Sequence, residues 1–220
     1  MSQPALPVDL HAAIVDLDGT MVDTLGDFVV ALNATLEALG LRHITHAFVG
    51  RTVGKGSEYL IRSTLTEVGA EAGLYERAWA LYQQHYERVN GMHSTVFPGV
   101  AEGLTRMRAR GWQLACLTNK PGAFARELLR KKGLAEFFGP VFGGDAFERR
   151  KPDPLPLLKT CEALGSLPGR TLMVGDSSND ARAARAAGCP VVLVSYGYNH
   201  GEPIGAAGAD RIIDRLDQLL

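Results

Sequence analysis

Four short apolar runs, separated by helical patterns, leave this chain few possible folds. Branched side chains dominate the runs, which is typical of strands that are buried on both faces of a parallel sheet. The runs cover residues 12–17, 114–117, 171–174 and 191–194, and the helical patterns cover residues 100–110, 123–132, 155–164 and 180–187. Strand and helix that alternate in this way predict an α/β fold with a doubly wound, Rossmann-like parallel sheet.

Residues 25–90 interrupt this alternation, because the stretch shows helical patterns and no buried-strand pattern. Its helix-like segments are residues 28–39, 56–68 and 74–89. The stretch follows the first strand, so we expect it to stand above the carboxyl edge of the sheet, where open α/β sheets bind ligands. The sequence therefore predicts a catalytic core of residues 1–22 and 97–220 and an inserted helical cap domain of residues 23–96.

Charge and composition exclude several classes of partner. The 23 Lys and Arg residues nearly balance 24 Asp and Glu residues, so the net charge of −1 provides no field that attracts nucleic acid. No apolar run approaches the roughly 20 residues that cross a bilayer, and residues 1–10 lack the pattern of a secretion leader. The three cysteines show neither a disulfide framework nor zinc spacing. We therefore expect a cytoplasmic protein that binds neither nucleic acid nor a membrane.

Four aspartates follow two of the apolar runs. Asp16 and Asp18 end the first run, where both carboxylates can point toward one cavity. Asp176 and Asp180 stand where the run at 171–174 gives way to a helix. Such crowding of negative charge needs a cation, and carboxylates with carbonyl oxygens and water suit Mg²⁺. The sequence therefore predicts a Mg²⁺ site at this edge of the sheet.

Polar residues beside the other strand ends suit a phosphate group. Thr118 and Asn119 follow the run at 114–117, and Lys151 precedes a helix opened by Pro152. Taken singly, Thr118 and Asn119 are explained as helix caps and Lys151 as a surface charge. Together, and beside a metal site, they form a set that binds phosphate.

The four motifs resemble those of a known family. Residues 16–20, 118–119, 151–152 and 175–180 read DLDGT, TN, KP and GDSSND. In this order they are similar to the four motifs of the haloacid dehalogenase (HAD) superfamily of phosphohydrolases. The resemblance implies an enzyme that hydrolyses a small phosphorylated metabolite and uses Mg²⁺ as its cofactor.

A narrower resemblance implies a particular substrate. Residues 117–121, 143–145, 183–190 and 196–199 are similar to bacterial phosphoglycolate phosphatases. They therefore imply that the chain converts 2-phosphoglycolate to glycolate and phosphate. A phosphatase for another small sugar phosphate, or a phosphomutase of the same superfamily, is the alternative.

The family resemblance also implies roles for the aspartates. Asp16 would be the nucleophile that forms an aspartyl-phosphate, and Asp18 would be the general acid and base. The carboxylates of Asp16 and Asp176 would bind Mg²⁺ together with the backbone carbonyl of Asp18. Asp180 would not bind the ion directly but would orient a water molecule or Lys151.

The same resemblance implies which residues contact the phosphoryl group. Thr118, Asn119 and Gly19 would bind its oxygens. Lys151 would neutralise the charge that develops on the nucleophile and on the transferring group.

The predicted cap holds two further features. Arg51 and Lys55, in the glycine-rich stretch 50–56, are candidates for binding the carboxylate of the substrate, although a solvated connection between helices explains them equally well. Aromatic residues recur at helical spacing, which predicts a cap core. These residues are Tyr75, Trp79, Tyr82 and Tyr86. Hinges that open the cap are predicted near residues 22–26 and 96–99.

The motifs bear differently on three competing functions. Haloalkanoic acid dehalogenases lack a carboxylate two residues after the nucleophile, so Asp18 argues against that chemistry. A phosphomutase keeps all four motifs and differs in excluding water. A non-catalytic binding module predicts a lost nucleophile or metal ligand, and no such loss occurs here. The sequence is compatible with a monomer or a homodimer.

Overall fold

The computed structural model describes residues 9–220. Residues 1–8, which are part of the predicted core and of the N-terminal segment without a leader pattern, lie outside the described residues. The strands are β1 (Ala12–Val15), β2 (Val22–Asp23), β3 (Thr95–Val96), β4 (Gln113–Leu117), β5 (Val141–Phe142), β6 (Thr171–Gly175), β7 (Val191–Val194) and β8 (Arg211–Ile213). The α-helices are α1 (Leu25–Ala38), α2 (His46–Thr52), α3 (Ser57–Glu67), α4 (Tyr75–Val89), α5 (Val100–Ala109), α6 (Gly122–Lys131), α7 (Leu155–Ala163) and α8 (Ser178–Ala187).

Six of the strands form one parallel sheet in the order β5-β4-β1-β6-β7-β8. The central strand β1 pairs with β4 and β6, and Val15 lies opposite both Cys116 and Val174. This register brings the carboxyl ends of the three strands to the same edge of the sheet. The predicted α/β fold with a doubly wound parallel sheet is confirmed.

Helices cover both faces of the sheet. Because side chains alternate along a strand, Val15 packs into one apolar cluster with residues of α5 and α6, while Ile14 packs into another with residues of α7 and α8. The four predicted apolar runs are strands because both of their faces are buried in this way. The first strand ends at Val15, two residues earlier than its apolar run, so Asp16 stands just beyond it.

Helices α1 to α4 form a third layer with an apolar core of its own. The chain leaves the sheet layer through β2 and returns through β3, and these two strands pair antiparallel, with Val22 opposite Val96. The boundaries of the cap domain at residues 23 and 96 stay a prediction. Among the described helices, none has the length and hydropathy of a segment that crosses a bilayer.

A buried aspartate ties the two ends of the helical layer together. Asp27, in the first turn of α1, is fully buried, and its two carboxylate oxygens accept hydrogen bonds from the backbone N–H groups of Gly91 (2.7 Å) and His93 (2.6 Å). These bonds join the start of α1 to the segment that follows α4. Asp27 therefore holds together the segments that enter and leave the helical layer.

We predict that Asp27→Ala lowers the free energy of unfolding by about 2–4 kcal/mol, because two backbone N–H groups lose the fully buried carboxylate that accepts their hydrogen bonds. Urea unfolding followed by circular dichroism measures this change. The matched control is Glu37→Ala on the exposed face of the same helix, for which we expect a change within about 0.5 kcal/mol. Equal stability of the two variants would contradict the proposed tie.

Candidate active site

The site is built where neighbouring strands end. Asp16 follows β1, Thr118 follows β4 and Asp176 follows β6, and the parallel register places all three at one edge of the sheet. Lys151 comes from the segment before α7, and Asp180 from the first turn of α8. Residues that are up to 164 positions apart in sequence thus meet in one place.

Lys151 is a buried cation that lies between Asp16 and Asp180. Its Nζ lies 3.0 Å from Asp16 Oδ1 and donates hydrogen bonds to Asp180 Oδ1 (2.7 Å) and to the carbonyl of Leu117 (2.9 Å). Burial lowers the pKa of Lys151, but the carboxylates of Asp16 and Asp180 outweigh burial and hold that pKa above its ordinary value. The ammonium therefore stays charged beside Asp16.

Asp180 anchors Lys151 and caps α8. Its Oδ2 accepts hydrogen bonds from the N–H and the hydroxyl of Ser177, at 3.1 and 2.8 Å, and from the N–H of Asp176 at 3.3 Å. The Ser177 side chain completes a capping box at the start of the helix. Since both Asp180 oxygens already accept hydrogen bonds, this carboxylate is suited to positioning Lys151.

Asp176 is held by residues from two loops. Its oxygens accept hydrogen bonds from the hydroxyl of Thr20 (3.2 Å) and from the N–H of Tyr198 (2.6 Å). Gly19 passes so close that a Cβ there would lie 2.2 Å from Asp176 Oδ2, and its φ of +82° also favours glycine. The N–H of Gly19 donates to the carbonyl of Val22, so its predicted role in phosphate binding stays a prediction.

The residues at this edge fit a divalent cation. Carboxylate oxygens of Asp16, Asp176 and Asp180 lie within 4.8 Å of one another. No donor among residues 9–220 is aligned for a hydrogen bond to the buried Asp16 Oδ1. Burial and the neighbouring Asp180 raise the pKa of Asp16 to about 7 against the opposing effect of Lys151. Burial, Asp180 and Asp16 likewise raise the pKa of Asp176. A bound cation would relieve this repulsion.

A narrow cavity separates these aspartates from the helical layer. Its volume is about 30 Å³, which is room for about two water molecules. Side chains and backbone from both layers line it, and they include Asp16, Asp18, Thr118, Asn119 and Lys120 from below and Phe28, Gly54, Tyr82 and Tyr86 from above. The cavity is where a substrate can meet both Asp16 and Asp18.

Lys120 is a residue of the site that the sequence interpretation missed. Its Nζ donates to Asp18 Oδ1 at 2.9 Å and to the hydroxyl of Tyr86, and it lies 4.5 Å from the ring centre of Phe28. Asp18 is more than 100 positions away in sequence, and the two aromatic residues come from α1 and α4. Its position directly after Thr118 and Asn119 was the available signal.

Thr118 and Asn119 differ in what they offer a ligand. The Asn119 side-chain amide donates to the carbonyls of Gly54 (2.9 Å) and Lys151 (2.8 Å). It therefore joins the helical layer to the sheet layer, and both amide hydrogens are in use. Thr118 lines the cavity, and its Oγ1 accepts a hydrogen bond from the N–H of Lys120 at 3.2 Å. The Thr118 hydroxyl hydrogen can thus be donated to a phosphoryl oxygen.

Arg51 lies apart from this cavity. The stretch 50–56 is partly helical, because α2 ends at Thr52, and Arg51 is in its last turn. There it lines a separate depression with Asp176, Asn199 and Glu202. Its contact with the substrate carboxylate stays a prediction, because Arg51 does not line the cavity that contains Asp16 and Asp18.

The four aromatic residues of α4 divide into two pairs. Tyr82 and Tyr86 are each only 1% exposed, and their rings stack with centres 5.4 Å apart. Both also line the cavity. Tyr75 and Trp79 are partly buried against the same apolar cluster. All four residues thus belong to the apolar core of the helical layer or pack against it, and Tyr82 and Tyr86 also form part of the roof of the candidate site.

Comparisons with known proteins agree with the geometry. A family model described as haloacid dehalogenase-like hydrolase matches residues 13–194. The chain is 40% identical over 215 residues to a phosphoglycolate phosphatase of Thiobacillus denitrificans, covering 96% of this chain and 95% of that one. It is 41% identical over 213 residues to a phosphoglycolate phosphatase of Nitrosospira multiformis, with coverages of 96% and 94%. A crystal structure of a predicted phosphoglycolate phosphatase from Haemophilus somnus superposes with a TM-score of 0.92 at 30% identity, covering 96% and 97% of the two chains.

Proposed function

We propose that this chain, which belongs to the haloacid dehalogenase-like hydrolases, is a Mg²⁺-dependent phosphatase that converts 2-phosphoglycolate to glycolate and phosphate. The observation that carries the proposal is the buried Asp16 carboxylate, which faces a narrow cavity and lies 3.0 Å from the Lys151 ammonium. The choice of substrate rests on relatives of that name, which match nearly the whole chain at about 40% identity.

In the first step, an Asp16 carboxylate oxygen bonds to phosphorus while the bond from phosphorus to the leaving oxygen breaks. Asp18 gives its proton to the leaving alkoxide, so that glycolate departs and an aspartyl-phosphate remains. Lys151 stays beside Asp16 and offsets negative charge on the transferring group, and the Thr118 hydroxyl donates to one of its oxygens.

In the second step, a water molecule attacks the phosphorus of the aspartyl-phosphate. Asp18, which lost its proton in the first step, takes a proton from this water. The bond between phosphorus and Asp16 breaks, the Asp16 carboxylate is regenerated and inorganic phosphate leaves. The acid of the first step is thus the base of the second.

The carboxylates of Asp16 and Asp176 and the backbone carbonyl of Asp18 would hold Mg²⁺. When bound, the ion supplies positive charge that stabilises the phosphoryl group during transfer. An oxygen-only set with few carboxylates suits Mg²⁺. Asp180 would not bind the ion directly, because its carboxylate positions Lys151.

Substrate entry requires the helical cap to move. The cavity holds only about two waters, and its roof is tied to the sheet layer by the contacts of Asn119 with Gly54 and of Lys120 with Tyr86. We propose that residues 23–96 open as a cap about the segments near 22–26 and 96–99. Closure then excludes the bulk solvent during transfer.

The test is phosphate release from a panel that contains 2-phosphoglycolate and several sugar phosphates, with Mg²⁺ and with a chelator in its place. We expect 2-phosphoglycolate to give the highest kcat/KM and the chelator to abolish turnover. A higher kcat/KM for a sugar phosphate would keep the mechanism and refute the substrate. Conversion of a sugar phosphate to its isomer without phosphate release would identify a phosphomutase instead.

A further inference from the structure

Lys120 occupies an unusual position for a lysine. Its side chain is only 2% exposed, and its ammonium lies 4.5 and 4.7 Å from the ring centres of Phe28 and Tyr86. Apart from these rings, its nearest partners are the Asp18 carboxylate at 2.9 Å and the Tyr86 hydroxyl. Burying the charged group of a lysine in this way costs free energy. The position therefore calls for a function beyond packing.

A second polar group in the same cavity has no partner. The hydroxyl of Tyr82 is buried, and among residues 9–220 nothing forms a hydrogen bond with it. Tyr82 lines the cavity beside Tyr86, and its whole residue is 1% exposed. A buried hydroxyl without a partner is unfavourable. A ligand in the cavity would supply the missing acceptor.

Lys120 lies on the side of the cavity where the leaving group must be, and Tyr82 stacks on Tyr86, whose hydroxyl contacts Lys120. Asp18 protonates the leaving oxygen in the proposed mechanism, and Lys120 Nζ is within hydrogen-bond distance of Asp18. In glycolate, the carbon that carries the leaving oxygen is bonded directly to the carboxylate. A group that is next to Asp18 is therefore next to that carboxylate.

We propose that Lys120 and Tyr82 form the subsite that binds the carboxylate of the leaving group, an inference that rests on the proposed function. The ammonium of Lys120 pairs with the carboxylate, and the hydroxyl of Tyr82 donates a second hydrogen bond to it. The rings of Phe28 and Tyr86 keep water away, which strengthens both interactions.

The two cations of the cap that the sequence suggested for the substrate carboxylate are placed differently. Arg51 lines a separate depression. The Lys55 ammonium lies 4.9 Å from the ring centre of Tyr59, which is itself 43% exposed. Neither of these cations lines the cavity with Asp16 and Asp18.

The experiment compares two substrates that differ in one group. In 2-hydroxyethyl phosphate, a neutral CH₂OH replaces the carboxylate of 2-phosphoglycolate at nearly the same size. The readout is the ratio of the two kcat/KM values. We expect Lys120→Met to lower the wild-type ratio about 100-fold and Tyr82→Phe to lower it about tenfold, as expected for losing hydrogen bonds to a charged group.

The ratio of the two kcat/KM values distinguishes a residue that binds the substrate carboxylate from a residue that only positions Asp18. If Lys120 only positions Asp18, Lys120→Met lowers both kcat/KM values by the same factor and the ratio does not change, which would overturn the proposal. Tyr82→Phe removes a hydroxyl that makes no hydrogen bond within the described protein, so its effect cannot come from a lost internal partner. The Tyr82→Phe variant also tests the subsite if Lys120→Met does not fold. Lys120→Arg, which keeps the charge, should retain more of the ratio than Lys120→Met.

Two further variants test a matched control lysine and the competing candidate Arg51. Lys159→Met removes an exposed lysine that pairs with Glu162 on α7, and it should leave the ratio as in the wild type. If Arg51→Met lowers the ratio and Lys120→Met does not, Arg51 binds the carboxylate and the subsite is refuted. Failure of the proposed function has a different signature, since the wild-type protein itself would then not hydrolyse 2-phosphoglycolate.

Discussion

Asp16→Asn is expected to lower kcat for 2-phosphoglycolate at least about 1,000-fold, because the amide oxygen cannot take the place of a carboxylate that attacks phosphorus. The change keeps the size of the side chain and its place beside Lys151. Phosphate release under steady-state conditions measures the effect.

The fold should survive this substitution. Burial and Asp180 raise the pKa of Asp16 to about 7, so removal of its charge relieves repulsion among the buried carboxylates. We therefore expect Asp16→Asn to be at least as stable as the wild-type protein toward urea. A variant that is folded but still turns over at a wild-type rate would show that another group is the nucleophile.

Lys151→Met is expected to have two large effects. Activity should fall by about 100-fold to 1,000-fold, because a fixed positive charge beside the transferring group is lost. The free energy of unfolding should fall by about 3–5 kcal/mol, because Asp16 and Asp180 lose the cation between them. Phosphate release and urea unfolding measure the two effects separately.

Lys159→Met is the matched control for this substitution. It removes the same charge from an exposed pair with Glu162, and such pairs contribute at most about 1 kcal/mol. If Lys151→Met were as stable and as active as this control, Lys151 would be neither the structural nor the electrostatic centre of the site.

The sequence predicted the strands that are buried on both faces and missed those at the edges. Strand β7 matches its apolar run at 191–194, since every residue in it is buried. Strand β5 has only two residues and β8 begins with Arg211, so neither gives a continuous apolar signal. A strand at the edge of a sheet has fewer neighbours, and its residues are correspondingly less restricted.

Helix α2 was missed for a different reason. It has seven residues and includes Gly50, which weakens any helical pattern. Its start is fixed by Thr45, whose hydroxyl accepts a hydrogen bond from the N–H of Phe48 at 3.2 Å. A single cap before so short a segment could not be distinguished from a turn.

The candidate site was predictable where it follows the strand ends. Asp16, Thr118 and Asp176 are brought together by the register of β1, β4 and β6, and a doubly wound sheet implies this arrangement. The roles of these residues in catalysis stay predictions. What the sequence could not supply was the roof, since the contact of Lys120 with Tyr86 depends on how α4 packs above the sheet.

The most direct test of the account is to trap the aspartyl-phosphate. Protein mixed with 2-phosphoglycolate and Mg²⁺ is quenched in acid within the first turnover, digested and analysed by mass spectrometry. We expect the peptide that contains Asp16 to gain the mass of one phosphoryl group, with the modification on Asp16. Rapid hydrolysis of 2-phosphoglycolate with no phosphorylated Asp16, or with the phosphoryl group on a different residue, would contradict this expectation.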